Sequence, residues 1–234
     1  SRLNLGEIMS INRNMIAKIA SIIGFALITL IIIIVRNNPA TGYEVSIYES
    51  LPQITWVFLV SIIGCGIFII MYQVLLMEEK NSKTWLWGFI LILLSNLIIL
   101  LLPVLKGYPI YGRSDNLVHI GWIKDIKLFG HIPEYSSPQN ILIYPSSHCL
   151  GAEISLISGV GLNSLYNLLI PFIYLFYVIS IYSLSKITLS NSKAAILSVT
   201  AGTILLFRQF HYQVFPTVLS LNICLLYTSP SPRD

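Results

Sequence analysis

Two side chains that can do chemistry, Asp115 and His119, stand four residues apart in a long segment, residues 106–163, that carries eight of the chain's 24 charged residues. In an α-helix this spacing places both on one face, together with Trp122 and Ile126. Three basic residues lie close in sequence: Arg113, Lys124 and Lys127. Cations beside an acid and an imidazole, on a surface that also carries apolar side chains, suit an anionic phosphate at the level of lipid headgroups. The pattern predicts a lipid-phosphate substrate.

Each of these residues also has a simpler interpretation. Asp115 in a first helical turn stabilises the helix dipole, which is the commoner role of a single aspartate there. His119 fits an interfacial side chain with no role, and the two lysines fit contacts with water or lipid headgroups. Gly107 and Gly112 are explained as turn residues.

The elements that position this segment are hydrophobic helices. The chain is 55% hydrophobic and 10% charged, with a mean hydropathy of +0.77, whereas about a quarter of the residues in a soluble domain are charged. The net charge of +4 is spread along the loops, which argues against nucleic acid as a partner. We expect an all-α, polytopic transmembrane bundle in the lipid bilayer, with a long external loop that contains amphipathic surface helices.

Four segments satisfy the length of roughly 20 apolar residues that a bilayer-spanning helix needs. They are Ile19 to Val35, Ile54 to Met77, Trp85 to Leu105 and Ser164 to Ser185. A shorter run, Ala194 to Phe207, extends at both ends, and Pro216 to Leu226 reads as the start of a sixth span.

Basic residues in short loops predict the orientation, because such loops stay on the cytoplasmic side. Arg2, Arg13 and Lys18 precede the first span, and Lys80 and Lys83 follow the second. We therefore expect a multi-pass protein of the cell membrane with a cytoplasmic N-terminus and with the loop 106–163 outside.

One apolar stretch, Ile141 to Gly161, has two interpretations. It carries His148 and Glu153, and charge is costly in hydrocarbon. As a span it would place Lys186 and Lys193 outside, against the charge rule. As an interfacial or re-entrant helix it would leave both lysines inside, which we favour.

Within the external loop, Ser114 has the side chain of a helix N-cap and Gly130 is suited to a helix stop. The sequence therefore predicts a surface helix over Asp115 to Phe129.

The cysteines and the chain ends carry less information. Cys65, Cys149 and Cys224 are odd in number and far apart, so we expect neither a disulfide framework nor a metal site. Both ends look cut, and residues 224–234 (CLLYTSPSPRD) resemble translated sequencing-adaptor read-through, so we treat them as a non-native tail.

The order of features in the loop resembles the first external loop of the GT-C superfamily of membrane glycosyltransferases. In that superfamily a span is followed by an acidic residue that opens an amphipathic helix, a glycine-proline exit and a Tyr-Pro element before another surface helix. The matching residues here are Arg113-Ser114-Asp115, His119, Gly130-His131-Ile132-Pro133, Tyr144-Pro145, His148 and the outer loop from Arg208 to Pro216. The resemblance covers residues 85–223 as a partial module, after an N-terminal part, 1–84, with a cytoplasmic segment and two extra spans.

This resemblance implies transfer of a sugar from a polyprenyl-phosphate donor to an acceptor, of unknown identity, on the outer face of the membrane. Asp115 would be the general base that takes the acceptor proton, with inversion at the sugar. The residues implied in substrate binding are Arg113, His119, Lys124, Tyr144, His148 and Arg208. Some members bind a divalent metal through loop acids, but Asn116 stands where many have a second acid. We therefore assign no metal ligand, although a divalent metal remains an alternative.

Two other classes compete with this interpretation. A multi-span transporter or permease also has many apolar spans, although its site usually lies at the bilayer midplane on broken helices, whereas charge here collects in the loop. A non-catalytic membrane assembly protein would keep the loop for binding alone.

Overall fold

The computed structural model describes residues 5–41, 46–47, 49–76, 84–110, 114–133, 145–189, 191–204, 224 and 227, and for residues 5–14, 76 and 114–116 it describes the backbone only. This part of the chain forms helices and contains no strand, which confirms the predicted all-α fold. The helices are α1 (Leu5–Asn37), α2 (Gln53–Leu76), α3 (Trp85–Leu105), α4 (Ser114–Phe129), α5 (Ser146–Ser158), α6 (Leu162–Thr188) and α7 (Ser192–Ile204).

Four of these helices are long and apolar enough to cross a membrane. The candidate spans are Met15–Asn37, Gln53–Leu75, Trp85–Leu105 and Leu162–Thr188, close to the segments expected from hydropathy. The described part of α7 has 13 residues, about 20 Å at 1.5 Å per residue. The rest of that predicted span and nearly all of the sixth lie outside the described residues.

The chain divides into two compact units. The first comprises Ser1–Lys106 with Ile196–Ile204, and the second comprises Gly107–Ala195 with Leu205–Asp234. The loop helices α4 and α5, together with α6, belong to the second unit.

In the first unit, α2 and α3 approach each other at two glycines. A Cβ atom built on Gly66 would lie 2.7 Å from the carbonyl oxygen of Gly88, and one built on Gly88 would lie 2.5 Å from that of Gly66. Lipid tails are as apolar as leucine side chains, so helices in a bilayer associate through such close packing. Asn96 adds a hydrogen bond from Nδ2 to the carbonyl oxygen of Thr203, 2.9 Å away.

The end of α3 is tied to the connection between α1 and α2. Lys106 is 2% exposed, and its ammonium donates to the Ser50 hydroxyl. Its carbonyl oxygen accepts the Ala40 N–H at 2.9 Å. A cation in this place also complements the negative end of the α3 dipole.

Candidate functional site

The first helix of the loop, α4, begins at Ser114 and ends where the sequence predicts. Gly130 has φ of +73°, and its N–H donates to the carbonyl oxygen of Ile126 at 2.9 Å. Glycine is suited to this left-handed position after a helix because it has no Cβ. The predicted cap bond of the Ser114 hydroxyl lies outside the described side chains.

The second loop helix, α5, occupies the stretch whose membrane role the sequence left open. It has 13 residues, and Gly159, which follows its last residue, is left-handed with φ of +69°. Its length is about 20 Å, short of the roughly 30 Å of a bilayer's hydrocarbon. This length favours the interfacial or re-entrant interpretation of Ile141 to Gly161, of which residues 141–144 lie outside the described part.

The two loop helices, α4 and α5, lie side by side and run in the same direction. Three contacts, each about one helical turn further along both helices, establish this direction: His119 with His148, Ile123 with Gly151, and Lys127 with Ser155. Between them Ile123 and Ile126 pack on Ala152. Because the helices are parallel, their N-termini lie at the same end of the pair, on the side of the two histidines.

Gly151 sets the spacing of the loop helices. A Cβ atom there would meet the Ile123 side chain at 3.0 Å, and Gly151 is itself buried. A glycine here lets α5 approach α4 closely, and the close approach brings the two histidine rings within reach of each other.

The two histidines form an imidazole pair. His119 Nδ1 lies 2.6 Å from His148 Nε2, and the rings are stacked with centroids 4.9 Å apart at an angle of 14°. His148 is 3% exposed, whereas His119 is half-buried. One ring nitrogen donates and the other accepts, so the hydrogen bond requires that the two rings share at most one extra proton.

Trp122 encloses the imidazole pair on one side. Its ring meets His119 edge-on at 5.1 Å and His148 edge-on at 5.2 Å. His119, Trp122 and Ile126 lie on the face of α4 that meets α5, as the helical spacing predicts. An edge-on indole holds the rings in place through its π-system and shields them from water.

The other predicted site residues are placed differently. Lys124 is exposed, away from the packed face of α4. The ammonium of Lys127 donates to the Ser155 hydroxyl at 2.9 Å and thereby joins the loop helices. Asp115 lies in the first turn of α4, but its side chain is not described, and Arg113, Tyr144 and Arg208 lie outside the described residues.

The sequence predicts both histidines as site residues but does not predict their contact. It gives no indication of Ser147 or Ser155. The signal for the parallel pairing is present but weak: buried positions recur in both helices at one-turn spacing, and Gly151 interrupts the bulky residues of α5. A helical pattern does not specify the partner face, so the contact itself was not predictable.

Metal ligation finds limited support in the described residues. No group of three or more histidine, cysteine, aspartate or glutamate side chains there is arranged to hold a metal ion. The imidazole pair alone supplies two donors, fewer than the usual protein ligand sets. The mechanism proposed below includes no metal.

Comparisons of the chain with protein-family models, with curated proteins and with solved structures find no match. The membrane spans and the geometry of the loop helices are therefore the features that bear on function.

Proposed function

We propose that this protein is a membrane glycosyltransferase that transfers a sugar from a polyprenyl-phosphate donor to an acceptor hydroxyl on the outer face of the membrane. The observation that carries the proposal is the parallel pairing of α4 and α5, which brings His119 and His148 together at the end where both helices begin. The loop resemblance suggests the reaction class, and the pairing supports a binding site for the donor's phosphate at that end.

An anion is favoured at this end of the loop helices for two reasons. Each helix N-terminus presents backbone N–H groups that have no carbonyl partner inside the helix, together with the positive end of its dipole. The imidazole pair adds ring N–H groups and can hold one positive charge. A phosphate that becomes more negative as it leaves is stabilised most by donors fixed in place before the reaction.

Asp115 is the general base in this proposal. It lies one helical turn before His119 on α4, at the same end of the pair. The acceptor oxygen attacks the anomeric carbon and passes its proton to the Asp115 carboxylate. The bond between that carbon and the phosphate oxygen breaks, and its electron pair leaves with the polyprenyl phosphate. A single displacement of this kind inverts the anomeric carbon.

The remaining groups have supporting roles. The leaving phosphate needs little or no protonation, so one carboxylate is sufficient for the reaction. His119 and His148 hold the phosphate, and Arg113 and Arg208 are proposed as further cations. The exposed position of Lys124 makes it a weaker candidate than the histidines, and it fits better a contact with lipid headgroups.

Sugar transfer in membranes tests the proposal. The chain, expressed within its complete reading frame, is assayed with radiolabelled sugars on polyprenyl-phosphate donors, and Asp115→Asn is compared with Asp125→Asn on the same helix. We expect Asp115→Asn to lower the rate by about 10² or more, as loss of a general base does, and Asp125→Asn to leave it unchanged. Both variants are compared at equal protein level.

Two results would contradict the proposal. Equal transfer by wild type and Asp115→Asn would remove Asp115 from the mechanism. No transfer from any polyprenyl-phosphate donor would favour the transporter or assembly classes, which keep the same spans without this chemistry.

A further inference from the structure

A pocket lies between α5 and α6. Its volume is about 90 Å³, enough for a short stretch of hydrocarbon. Its walls are almost entirely apolar and include Ser147, Leu150, Ile154, Leu169, Phe172 and Phe176. Leu150 is 44% exposed and Phe172 is 66% exposed, so the rim is open at one side.

The surroundings of the rim indicate what enters the pocket. Phe172 and its exposed neighbours Leu168 and Leu175 lie on α6, a candidate membrane span. Exposed apolar side chains of a span face lipid tails rather than water. A pocket that opens beside them is reached by hydrocarbon chains from within the bilayer.

One polar atom in this apolar wall has no hydrogen-bond partner among the described residues. Ser147 is 5% exposed, and its hydroxyl is buried and unbonded. Other buried helical hydroxyls, those of Ser21, Ser95 and Ser180, each donate to the carbonyl four residues earlier. Ser147 is in the first turn of α5 and has no such carbonyl within its helix. A buried hydroxyl left unbonded is destabilising, so a ligand oxygen that accepts from it would be stabilised.

The start of α5 favours a negative charge on that ligand oxygen. Pro145 caps the helix without a side-chain hydrogen bond. Its carbonyl oxygen accepts the N–H groups of His148 and Cys149, which leaves those of Ser146 and Ser147 for an acceptor outside the helix. An unbonded hydroxyl and a helix N-terminus therefore lie at one end of an apolar pocket, an arrangement that suits a ligand with an anionic head and a hydrocarbon body.

We propose that the pocket holds the first carbons of a lipid chain next to its phosphate, and that the Ser147 hydroxyl donates to a phosphate oxygen. The identity of the lipid as a polyprenyl phosphate rests on the proposed function. The pocket then selects the donor by its chain, while the loop helices hold its phosphate.

Equilibrium binding of radiolabelled farnesyl phosphate, a short prenyl phosphate, tests this assignment in nanodiscs that contain the protein. Ile154→Trp fills the pocket, and its matched control is Ile157→Trp on the same helix, where the native side chain is 88% exposed. We expect Ile154→Trp to weaken binding at least tenfold and Ile157→Trp to leave it unchanged. Ser147→Ala should weaken binding about tenfold, as expected for a lost hydrogen bond to a charged group, and Ser146→Ala should not.

Further variants and competitors distinguish the possible outcomes of this binding experiment. If Ile154→Trp fails to fold, Leu150→Trp fills the pocket from its exposed rim. If farnesol competes for the wild-type site as well as farnesyl phosphate does, the site does not recognise the phosphate, and that part of the assignment is wrong. Equal competition by diacyl phosphatidic acid would make the pocket a general phospholipid site and overturn the prenyl assignment, as would undiminished binding in Ile154→Trp.

The binding test can fail independently of the proposed function. If Asp115→Asn abolishes sugar transfer while the pocket variants bind and turn over normally, the pocket assignment is wrong and the glycosyltransferase proposal stands. If prenyl phosphate binds as expected but no sugar is transferred, the pocket assignment stands without that enzyme.

Discussion

The imidazole pair is a close polar contact between the loop helices. His119 Nδ1 and His148 Nε2 are 2.6 Å apart in a site that Trp122 covers edge-on. A hydrogen bond between partly buried groups in low dielectric depends on both partners, and loss of one leaves the other to be desolvated alone. The two residues should therefore contribute to stability as a unit rather than independently.

A double-mutant cycle measures the coupling energy between the two histidines. We expect His119→Ala and His148→Ala each to lower the free energy of unfolding, and the double variant to lower it by about 1 kcal/mol less than the sum. The measurement is reversible denaturation in detergent, followed by helical circular dichroism. His131 is exposed, so a cycle of His131→Ala with His148→Ala should be additive. Additivity in the first cycle would show that the observed contact has no energetic role.

Helices in this protein meet through small residues and single polar bonds. The α2–α3 contact depends on Gly66 and Gly88, and the α4–α5 contact on Gly151, with the Lys127–Ser155 hydrogen bond at the far end. Where lipid surrounds a helix, moving an apolar side chain from lipid to a neighbouring helix gains no hydrophobic free energy. Close backbone approach then decides which helices pair.

Two glycines of α2 test that rule in one helix. We expect Gly66→Val to destabilise the protein by about 1–3 kcal/mol, because its side chain would overlap the Gly88 carbonyl and force the helices apart. Gly64→Val should have little effect, since no described atom lies within 4 Å of a Cβ atom there. Thermal unfolding in matched detergent gives the comparison. Equal loss in both variants would point to helix propensity or insertion instead of packing.

At the scale of the whole molecule, the question is which loops lie on each side of the membrane. The structure contains four candidate spans, and the orientation with loop 106–163 outside remains a prediction from the basic residues. Ser158 precedes α6 in the loop, and Lys193 follows α6, both exposed. If α6 crosses the membrane, these two positions lie on opposite sides.

Single cysteines at these positions test the topology after Cys65, Cys149 and Cys224 are replaced by serine. We expect Ser158→Cys to react with a membrane-impermeant maleimide on intact cells, and Lys193→Cys to react only after the cells are opened, because a charged reagent does not cross the bilayer. The reverse pattern would invert the orientation, and reaction of both on intact cells would show that α6 does not span. Only the reverse pattern would remove the external face from the glycosyltransferase proposal, because reaction of both positions on intact cells would still leave Ser158 outside.

The sequence alone determined the parts of this protein that depend on local pattern. The length of an apolar run predicts that α3 begins at Trp85 and ends at Leu105. A residue that tolerates positive φ, Gly130, predicts where α4 stops. The shared face of His119, Trp122 and Ile126 follows from the helical repeat. These features need no knowledge of the partner helix.

Only the tertiary structure decided how α4 and α5 pair. Residues 119 and 148 are far apart in the chain, and the same helical faces would serve an antiparallel pair, which would place the two N-termini at opposite ends. The parallel register brings His119 to His148 and both helix starts to one end. Side-chain periodicity specifies a face, whereas the direction and register of its partner depend on close packing at Gly151, which emerges only when the helices meet.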